Sequence, residues 1–88
     1  MIIALDYDKT YTADPEMWNL FITMCRQRDH KVICLTMRRY PEEQIKIPFV
    51  DITYTDRRAK KAYADENGIW VDIWIDDKPA YLFEDALS

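Results

Sequence analysis

The apolar positions of the chain begin with two unbroken runs. Ile2 to Leu5 and Val32 to Leu35 contain no polar residue, which is typical of strands buried on both faces of a parallel sheet. Two further strands are predicted at Phe49 to Tyr54 and at Val71 to Ile75, where polar residues interrupt or alternate with apolar ones. We therefore expect the first two strands at the centre of a sheet and the other two at its edges.

A helix is predicted between the first two strands. Asp14 has the position of an N-cap, followed by Pro15 in the first turn and by Glu16 near the positive end of the helix dipole. An apolar stripe at helical spacing follows and should pack on the sheet. The stripe consists of Met17, Trp18, Leu20, Phe21, Met24 and Cys25.

A second helix is predicted from near Asp56 to the stop signal at Asn67 and Gly68, and a last short one from Pro79. The face of the second helix should carry Ala59, Ala62 and Tyr63. Strands and helices then alternate, which predicts an α/β fold with right-handed crossovers and helices on both faces of the sheet. The expected strand order is third, second, first, fourth, in one domain covering residues 1–88.

The alternation of residues in the last predicted strand indicates which side chains share a face of the sheet. Val71, Ile73 and Ile75 should share one face, with Asp72 and Trp74 on the other. We expect Trp70 and Trp74 to pack on a face of the sheet, or to form part of an interface if the edge strand pairs with another chain.

The amino-acid composition excludes several kinds of catalytic and binding site. The chain has one glycine and one histidine, and its one serine is the last residue, so glycine-rich phosphate loops, serine triads and histidine metal sites are excluded. The net charge of −4 argues against binding long nucleic acid. Met1 to Leu5 is too short for a signal peptide or membrane span, and Cys25 and Cys34 fit buried thiols, so a cytoplasmic protein without membrane contact is expected.

Acidic residues follow two of the predicted strands. Asp6 and Asp8 come after the first strand, and Asp76 and Asp77 come after the fourth. Ligands of open parallel sheets bind beyond the carboxyl ends of the strands, near the point where strand order reverses. Four carboxylates crowded there would repel one another, and a cation would relieve the repulsion. Oxygen-only ligands favour Mg²⁺.

Two further side chains should reach the same crevice. Thr36 ends the second strand and offers a hydroxyl, although capping of the following segment is an equal alternative for it. Lys60, near the start of the second helix, offers an ammonium; the adjacent Lys61 is the alternative. Arg38 or the adjacent Arg39 could bind a substrate phosphate, with Arg38 the expected one, although an exposed charge pair is an equal alternative. Carboxylates, a hydroxyl and a lysine around a metal suit phosphoryl transfer through a carboxylate nucleophile.

These residues together resemble the four motifs of the haloacid dehalogenase superfamily of phosphatases. The run Asp6-Tyr7-Asp8-Lys9-Thr10 is similar to its DxDxT first motif. Thr36, Lys60 and the pair Asp76-Asp77 resemble the second, third and fourth motifs, in the family's order. The resemblance covers residues 2 to 77.

The resemblance implies a role for each position. Asp6 would attack phosphorus and bind Mg²⁺, and Asp8 would act as acid and base while its backbone carbonyl binds the metal. Asp77 would be the direct ligand of the acidic pair, with Asp76 supporting the metal through water or holding Lys60. The groups around the phosphoryl oxygens and the substrate would be Thr36, Lys60, Lys9, Thr10 and Arg38.

The resemblance implies a magnesium-dependent phosphomonoesterase with an aspartyl-phosphate intermediate and a phosphorylated substrate. Family members commonly carry a flap or cap domain after the first motif, whereas only residues 11 to 13 separate Thr10 from Asp14 here. An open site would suit a large substrate or one enclosed by a second copy of the chain. The alternatives are a non-catalytic binding or regulatory module of the same fold, and a nucleotidase or polynucleotide-end phosphatase.

Overall fold

The computed structural model describes residues 1–87, in which four strands, two α-helices and two short 3₁₀ turns are found. In chain order these are β1 (Ile2–Leu5), a 3₁₀ turn (Tyr11–Ala13), α1 (Pro15–Gln27), β2 (Lys31–Thr36), β3 (Asp51–Tyr54), α2 (Lys60–Glu66), β4 (Ile73–Ile75) and a 3₁₀ turn (Pro79–Leu82). All strands are parallel in the order β3-β2-β1-β4, which confirms the predicted α/β fold, strand order and edges.

The two central strands divide their side chains between two cores. Alternate residues of β1 and β2 point to opposite faces, as the pleat of a strand requires. One face meets Ile22 and Cys25 of α1, and the other meets Ala64 of α2. This double burial explains why both strands are apolar at every central position. The helices therefore lie on both faces of the sheet, as expected.

The start of α1 agrees with the sequence, because Asp14 Oδ1 accepts a hydrogen bond from the backbone N–H of Met17 at 3.1 Å. The predicted apolar stripe is partly wrong. Ile22, which it omitted, is buried at 2% exposure, whereas Leu20 is 67% exposed. At 100° per residue, Ile22 lies on the same side as Trp18, and Leu20 points away from the sheet.

The remaining members of the stripe divide in the same way. Trp18 and Phe21 pack against the α1-side core and Cys25 is buried, while Met17 and Met24 are exposed. The helix thus buries one narrow face, and apolar side chains outside that face remain in solvent. Apolar residues are common on protein surfaces, so the wide stripe overestimated the contact.

The second helix begins later than predicted. Residues 55 to 58 form a turn in which Asp56 and Arg57 have left-handed φ values of 54° and 68°. This conformation cannot continue into a helix, so α2 starts at Lys60. Within α2, Ala62 is exposed and Ala64 is the buried alanine, which corrects the predicted inward face.

The last strand is shorter than its alternating pattern suggested. Only Ile73 to Ile75 pair with β1, so Val71 lies before the strand and packs with Trp74 on the α2 side, while Ile75 packs on the α1 side. Trp70 is 72% exposed and donates its indole N–H to Asp72, which corrects the prediction that it packs on the sheet.

Both cysteines are free and buried, as predicted. Burial raises the pKa of the Cys34 thiol to about 12, so this side chain behaves as a small apolar group in the core. Among residues 1–87, neither α-helix has the length and apolarity needed to cross a membrane.

The α1 face can be tested with two substitutions on one helix. Ile22→Ala removes a buried side chain and should lower the free energy of unfolding by about 2–5 kcal/mol. Leu20→Ala removes an exposed side chain and should change it by less than about 0.5 kcal/mol. Urea denaturation followed by circular dichroism measures both. A larger loss for Leu20→Ala than for Ile22→Ala would contradict the packing of α1.

Candidate functional site

The parallel register of β1 and β4 brings three carboxylates together. Leu5 is level with Ile75, and the backbone N–H of Asp6 continues the ladder by donating to Ile75 O at 2.9 Å. Asp6 and Asp76 therefore leave the sheet side by side. Carboxylate oxygens of Asp6, Asp76 and Asp77 lie within 4.8 Å of one another. The structure thus assembles three of the four acidic residues expected at this edge.

Lys60 lies between two of these carboxylates. Its Nζ is 2.8 Å from Asp6 Oδ1 and 2.5 Å from Asp76 Oδ2, and its side chain is only 5% exposed. Burial lowers the pKa of Lys60, but the two carboxylates outweigh burial and the net direction is upward. Lys61 instead forms an exposed ion pair with Asp65. Of the two adjacent lysines, Lys60 is the one at the site.

Asp6 is buried, and burial raises its pKa to about 6 even though Lys60 opposes the rise. Its second oxygen, Oδ2, accepts a hydrogen bond from the Thr10 hydroxyl at 3.1 Å, and the same hydroxyl lies 3.3 Å from Asp77 Oδ1. Thr10 is therefore held against the acidic cluster, in the interior of the loop. The proximity of Asp77 further raises the pKa of Asp6.

The Asp8 carboxylate lies outside this cluster and is bound by Arg38. Arg38 Nε and NH2 donate to Asp8 Oδ2 and Oδ1 at 3.0 and 2.7 Å, a bidentate pair. The hydrogen bonds from Arg38 lower the pKa of Asp8. The guanidinium also lies 5.2 Å from the centre of the Tyr7 ring. Arg38 thus forms a charge pair, and that pair faces the site.

Thr36 is buried at the end of β2, where its hydroxyl accepts the backbone N–H of Arg38 at 3.3 Å. It therefore caps the following segment and also lines the crevice beyond the strand ends. Lys9 lines the same crevice with an exposed side chain, in a left-handed backbone conformation with φ of 63°. Left-handed non-glycine residues are uncommon in proteins as a whole, and those that occur are concentrated in functional loops.

A cleft of about 230 Å³ lies over these groups. It is lined by all the predicted site residues except Thr10, and by five residues that were not predicted from the sequence: Met37, Arg57, Lys78, Tyr81 and Ala86. Lys78 directly follows the acidic pair on the same strand-end loop, so its position could have been inferred. Arg57 reaches the cleft only because of the left-handed turn after β3, which has no clear signal in the sequence.

The turn that carries Arg57 is held by partners distant in the chain. The backbone N–H and NH1 of Arg57 donate to Met37 O at 2.9 and 2.7 Å, and its backbone oxygen accepts from Ala86 at 2.7 Å. Asp85 Oδ1 accepts the N–H of Ala59 at 2.6 Å, at the start of α2, where Ala59 has no capping side chain of its own. Residues 85 and 86 therefore help to place α2 and Lys60.

The donor set fits a hard divalent cation. Asp6, Asp76 and Asp77 offer only carboxylate oxygens, which Mg²⁺ prefers, and within residues 1–87 no histidine or cysteine joins them. Lys60 already neutralises part of this charge, which lowers the repulsion that a metal would relieve. Asp6 Oδ2 and Asp77 Oδ1 both face the Thr10 hydroxyl, and these two oxygens are the best placed to hold an ion.

The support of Lys60 by Asp85 can be tested with amine acetylation followed by mass spectrometry. Asp85→Ala removes a capping acceptor, so stability should fall by about 1 kcal/mol and Lys60 should become more reactive. Glu84→Ala, an exposed neighbour, should change neither quantity. Lys61, which is exposed in every variant, is the internal reference. Unchanged Lys60 reactivity in Asp85→Ala would show that the loop holds its position without Asp85.

Comparison of the chain with protein-family models, with curated proteins and with solved structures finds no match. The cleft itself combines a carboxylate cluster bridged by a buried lysine, a strand-end threonine and a bidentate arginine–aspartate pair.

Proposed function

We propose that the protein is a magnesium-dependent phosphomonoesterase in which Asp6 is the nucleophile. The observation that carries the proposal is the position of Asp6. It is buried at the carboxyl end of a central strand, Lys60 bridges it to Asp76, and one of its carboxylate oxygens lies within 4.8 Å of an oxygen of Asp77. The motif resemblance to haloacid dehalogenase phosphatases supports the same assignment. Bound Mg²⁺ would supply charge neutralisation for the phosphoryl group.

The residues of the cleft suit both halves of such a reaction. Asp8, once released from Arg38, takes up a proton from solvent. An oxygen of Asp6 then attacks phosphorus, the bond from phosphorus to the ester oxygen breaks, and Asp8 gives that oxygen its proton. Water then attacks the aspartyl phosphate and gives a proton back to Asp8, which releases inorganic phosphate and restores Asp6. Lys60 and Thr36 donate to phosphoryl oxygens as negative charge spreads over them.

The Arg38–Asp8 pair imposes a condition on this scheme. Both Asp8 oxygens accept from Arg38, so Asp8 has to leave that pair before it can reach a leaving group. A phosphoryl group in the cleft supplies the alternative acceptor, because guanidinium donors bind phosphate and carboxylate with the same fork geometry. Arg38 would then bind substrate and free Asp8 in one movement.

The second candidate is a non-catalytic module that binds phosphate groups. Two features favour it: Lys60 already balances the buried carboxylates, and Arg38 holds Asp8 away from them. Such a protein would bind a phosphorylated ligand in the same cleft without breaking its ester bond. The two candidates share their binding residues and differ in turnover.

Turnover of an aryl phosphate with and without Mg²⁺ tests the proposal directly. Lys60→Met should reduce kcat/KM by at least about 100-fold, the scale seen when a transition-state donor is removed. Lys61→Met, an exposed matched change on the same helix, should stay within about twofold of wild type. A chelator should abolish turnover of the wild type.

Two results would oppose the proposed function. Phosphate binding without hydrolysis of any ester, in the presence of Mg²⁺, would favour the non-catalytic module. Full activity of Asp6→Asn would show that another group is the nucleophile, because an amide cannot form the aspartyl phosphate.

Binding of Mg²⁺ should depend on pH through Asp6. Burial raises the pKa of this carboxyl from 3.8 to about 6, and the metal binds the ionised form. Affinity should therefore increase by about tenfold per unit as pH rises toward 6, and level off above it. The stability of the metal-free protein should change in the opposite direction. The Asp6 carboxyl binds its proton more tightly in the folded state than in the unfolded state, so its contribution to the free energy of unfolding falls as pH rises from about 4 to 6.

Calorimetric titration of Mg²⁺ at pH 5, 6, 7 and 8 measures this dependence. Buffers with different ionisation enthalpies should reveal about one proton released below pH 6. Affinity that does not change between pH 5 and 8 would show that Asp6 is already ionised in the metal-free protein.

A further inference from the structure

Positive charge is concentrated at the cleft of an otherwise acidic protein. The chain carries 12 basic and 16 acidic residues. Five of the basic residues but only four of the acidic ones line the cleft, which leaves seven basic and twelve acidic residues elsewhere. The cleft is therefore positive by one charge before a divalent ion is added. A phosphomonoester dianion alone would leave positive charge uncompensated beside the metal.

Two of the five cations have no acidic partner. Arg38, Arg57 and Lys60 are held by Asp8, by Glu43 and by the buried carboxylates. Lys9 and Lys78 have no salt bridge to any residue of the described part of the chain, 1–87, and both side chains are exposed. They follow β1 and β4, the two adjacent strands whose ends carry the acidic cluster.

An aromatic ring lies beside one of these lysines. Tyr81 lines the cleft and is half-buried, and Lys78 Nζ lies 5.8 Å from the centre of its ring. Lys78 Nζ lies over one face of this ring; when it moves to bind a phosphate, that face would be free to stack on the adjoining base. A nucleic acid has a base beside every phosphate, whereas a phosphorylated peptide offers a stacking group only where its sequence has one.

The space above the cleft is not closed by the segment that follows the first strand. Residues 11 to 13 form only a single 3₁₀ turn between Thr10 and α1. A substrate that continues beyond its terminal phosphate can therefore leave the cleft without a steric barrier from this segment.

We propose that the phosphate ester processed at this site is the phosphorylated end of a single-stranded nucleic acid. Lys9 and Lys78 bind the phosphodiester next to the terminal phosphate, and Tyr81 stacks on a base. This inference deepens the proposed function and rests on it for hydrolysis, but the binding it requires is independent of turnover. The acidic surface outside the cleft restricts contact to the end of the strand.

Fluorescence anisotropy with thymidine tetranucleotides phosphorylated at the 5′ or the 3′ end tests the binding. A tetranucleotide should bind more tightly than the matching mononucleotide. The double variant Lys9→Ala/Lys78→Ala should lose that advantage, and its salt slope should be smaller by about 0.7, since the two lysines contact one phosphodiester and each neutralised single-strand phosphate contributes about 0.7. The double variant Lys31→Ala/Lys46→Ala removes the same charge from exposed positions outside the cleft and should retain wild-type binding.

The aromatic contact has its own comparison. Tyr81→Leu should weaken binding of the tetranucleotide by about 5- to 150-fold, the range for loss of one stacked base. Tyr81→Phe should retain binding, and an abasic tetranucleotide should not distinguish wild type from Tyr81→Leu. Phe83→Leu, at an exposed residue that does not line the cleft, is the matched control.

The outcomes separate the two proposals. Equal affinity for mononucleotide and tetranucleotide, or an acidic phosphopeptide bound as tightly as the tetranucleotide, overturns the assignment of nucleic acid, even if aryl phosphate is hydrolysed. Lysine-dependent tetranucleotide binding without hydrolysis overturns the phosphatase and leaves the ligand class in place. Equal losses of tetranucleotide affinity in the two double variants would show a general charge effect and would also overturn the assignment of nucleic acid as the ligand.

Discussion

The ion pair between Lys60 and two carboxylates is the interaction on which the site depends. A buried ammonium is costly unless its charge is compensated, and Asp6 and Asp76 compensate it from two adjacent strands. Removal of one partner from such an arrangement typically costs about 3–5 kcal/mol, because a buried charge is left without compensation. The pair also ties α2, on one face of the sheet, to the strand ends.

Several features of the chain serve to place this ammonium. The strained turn at Asp56 and Arg57 reverses the chain after β3, and left-handed residues of this kind cost about 1–3 kcal/mol each. Hydrogen bonds from Arg57 to Met37 O, from Ala59 to Asp85 Oδ1 and from Ala86 to Arg57 O offset that cost. The turn and its partners start α2 at Lys60, so that its first side chain points back toward the strand ends.

The charges of the cleft form two separate units. Lys60 with Asp6 and Asp76 is buried, while Arg38 with Asp8 is partly exposed and can exchange one anionic partner for another. The buried unit suits a fixed role in holding a nucleophile, and the exposed unit suits a response to substrate. Under the proposed phosphatase function, this division would let Arg38 bind a phosphate group, and catalysis would require a change in the pairing of Asp8.

Local pattern was sufficient for the strand order, the double burial of β1 and β2, the cap at Asp14 and the convergence of carboxylates at the β1 and β4 ends. These follow from periodicity and from the geometry of parallel sheets, which depend on near neighbours in the chain. It favoured Lys60 over Lys61, since helical residues one apart face different directions, but only the contacts of Lys60 with Asp6 and Asp76 decided between them.

Other features depend on contacts between distant residues. The inward face of α1 was decided by how the helix lies on the sheet, which exposes Leu20 and buries Ile22. The Arg38–Asp8 pair, the left-handed turn and the cap from Asp85 join residues 20 to 30 positions apart. No local pattern specifies such pairs, because their free energy arises only after the sheet has brought the segments together.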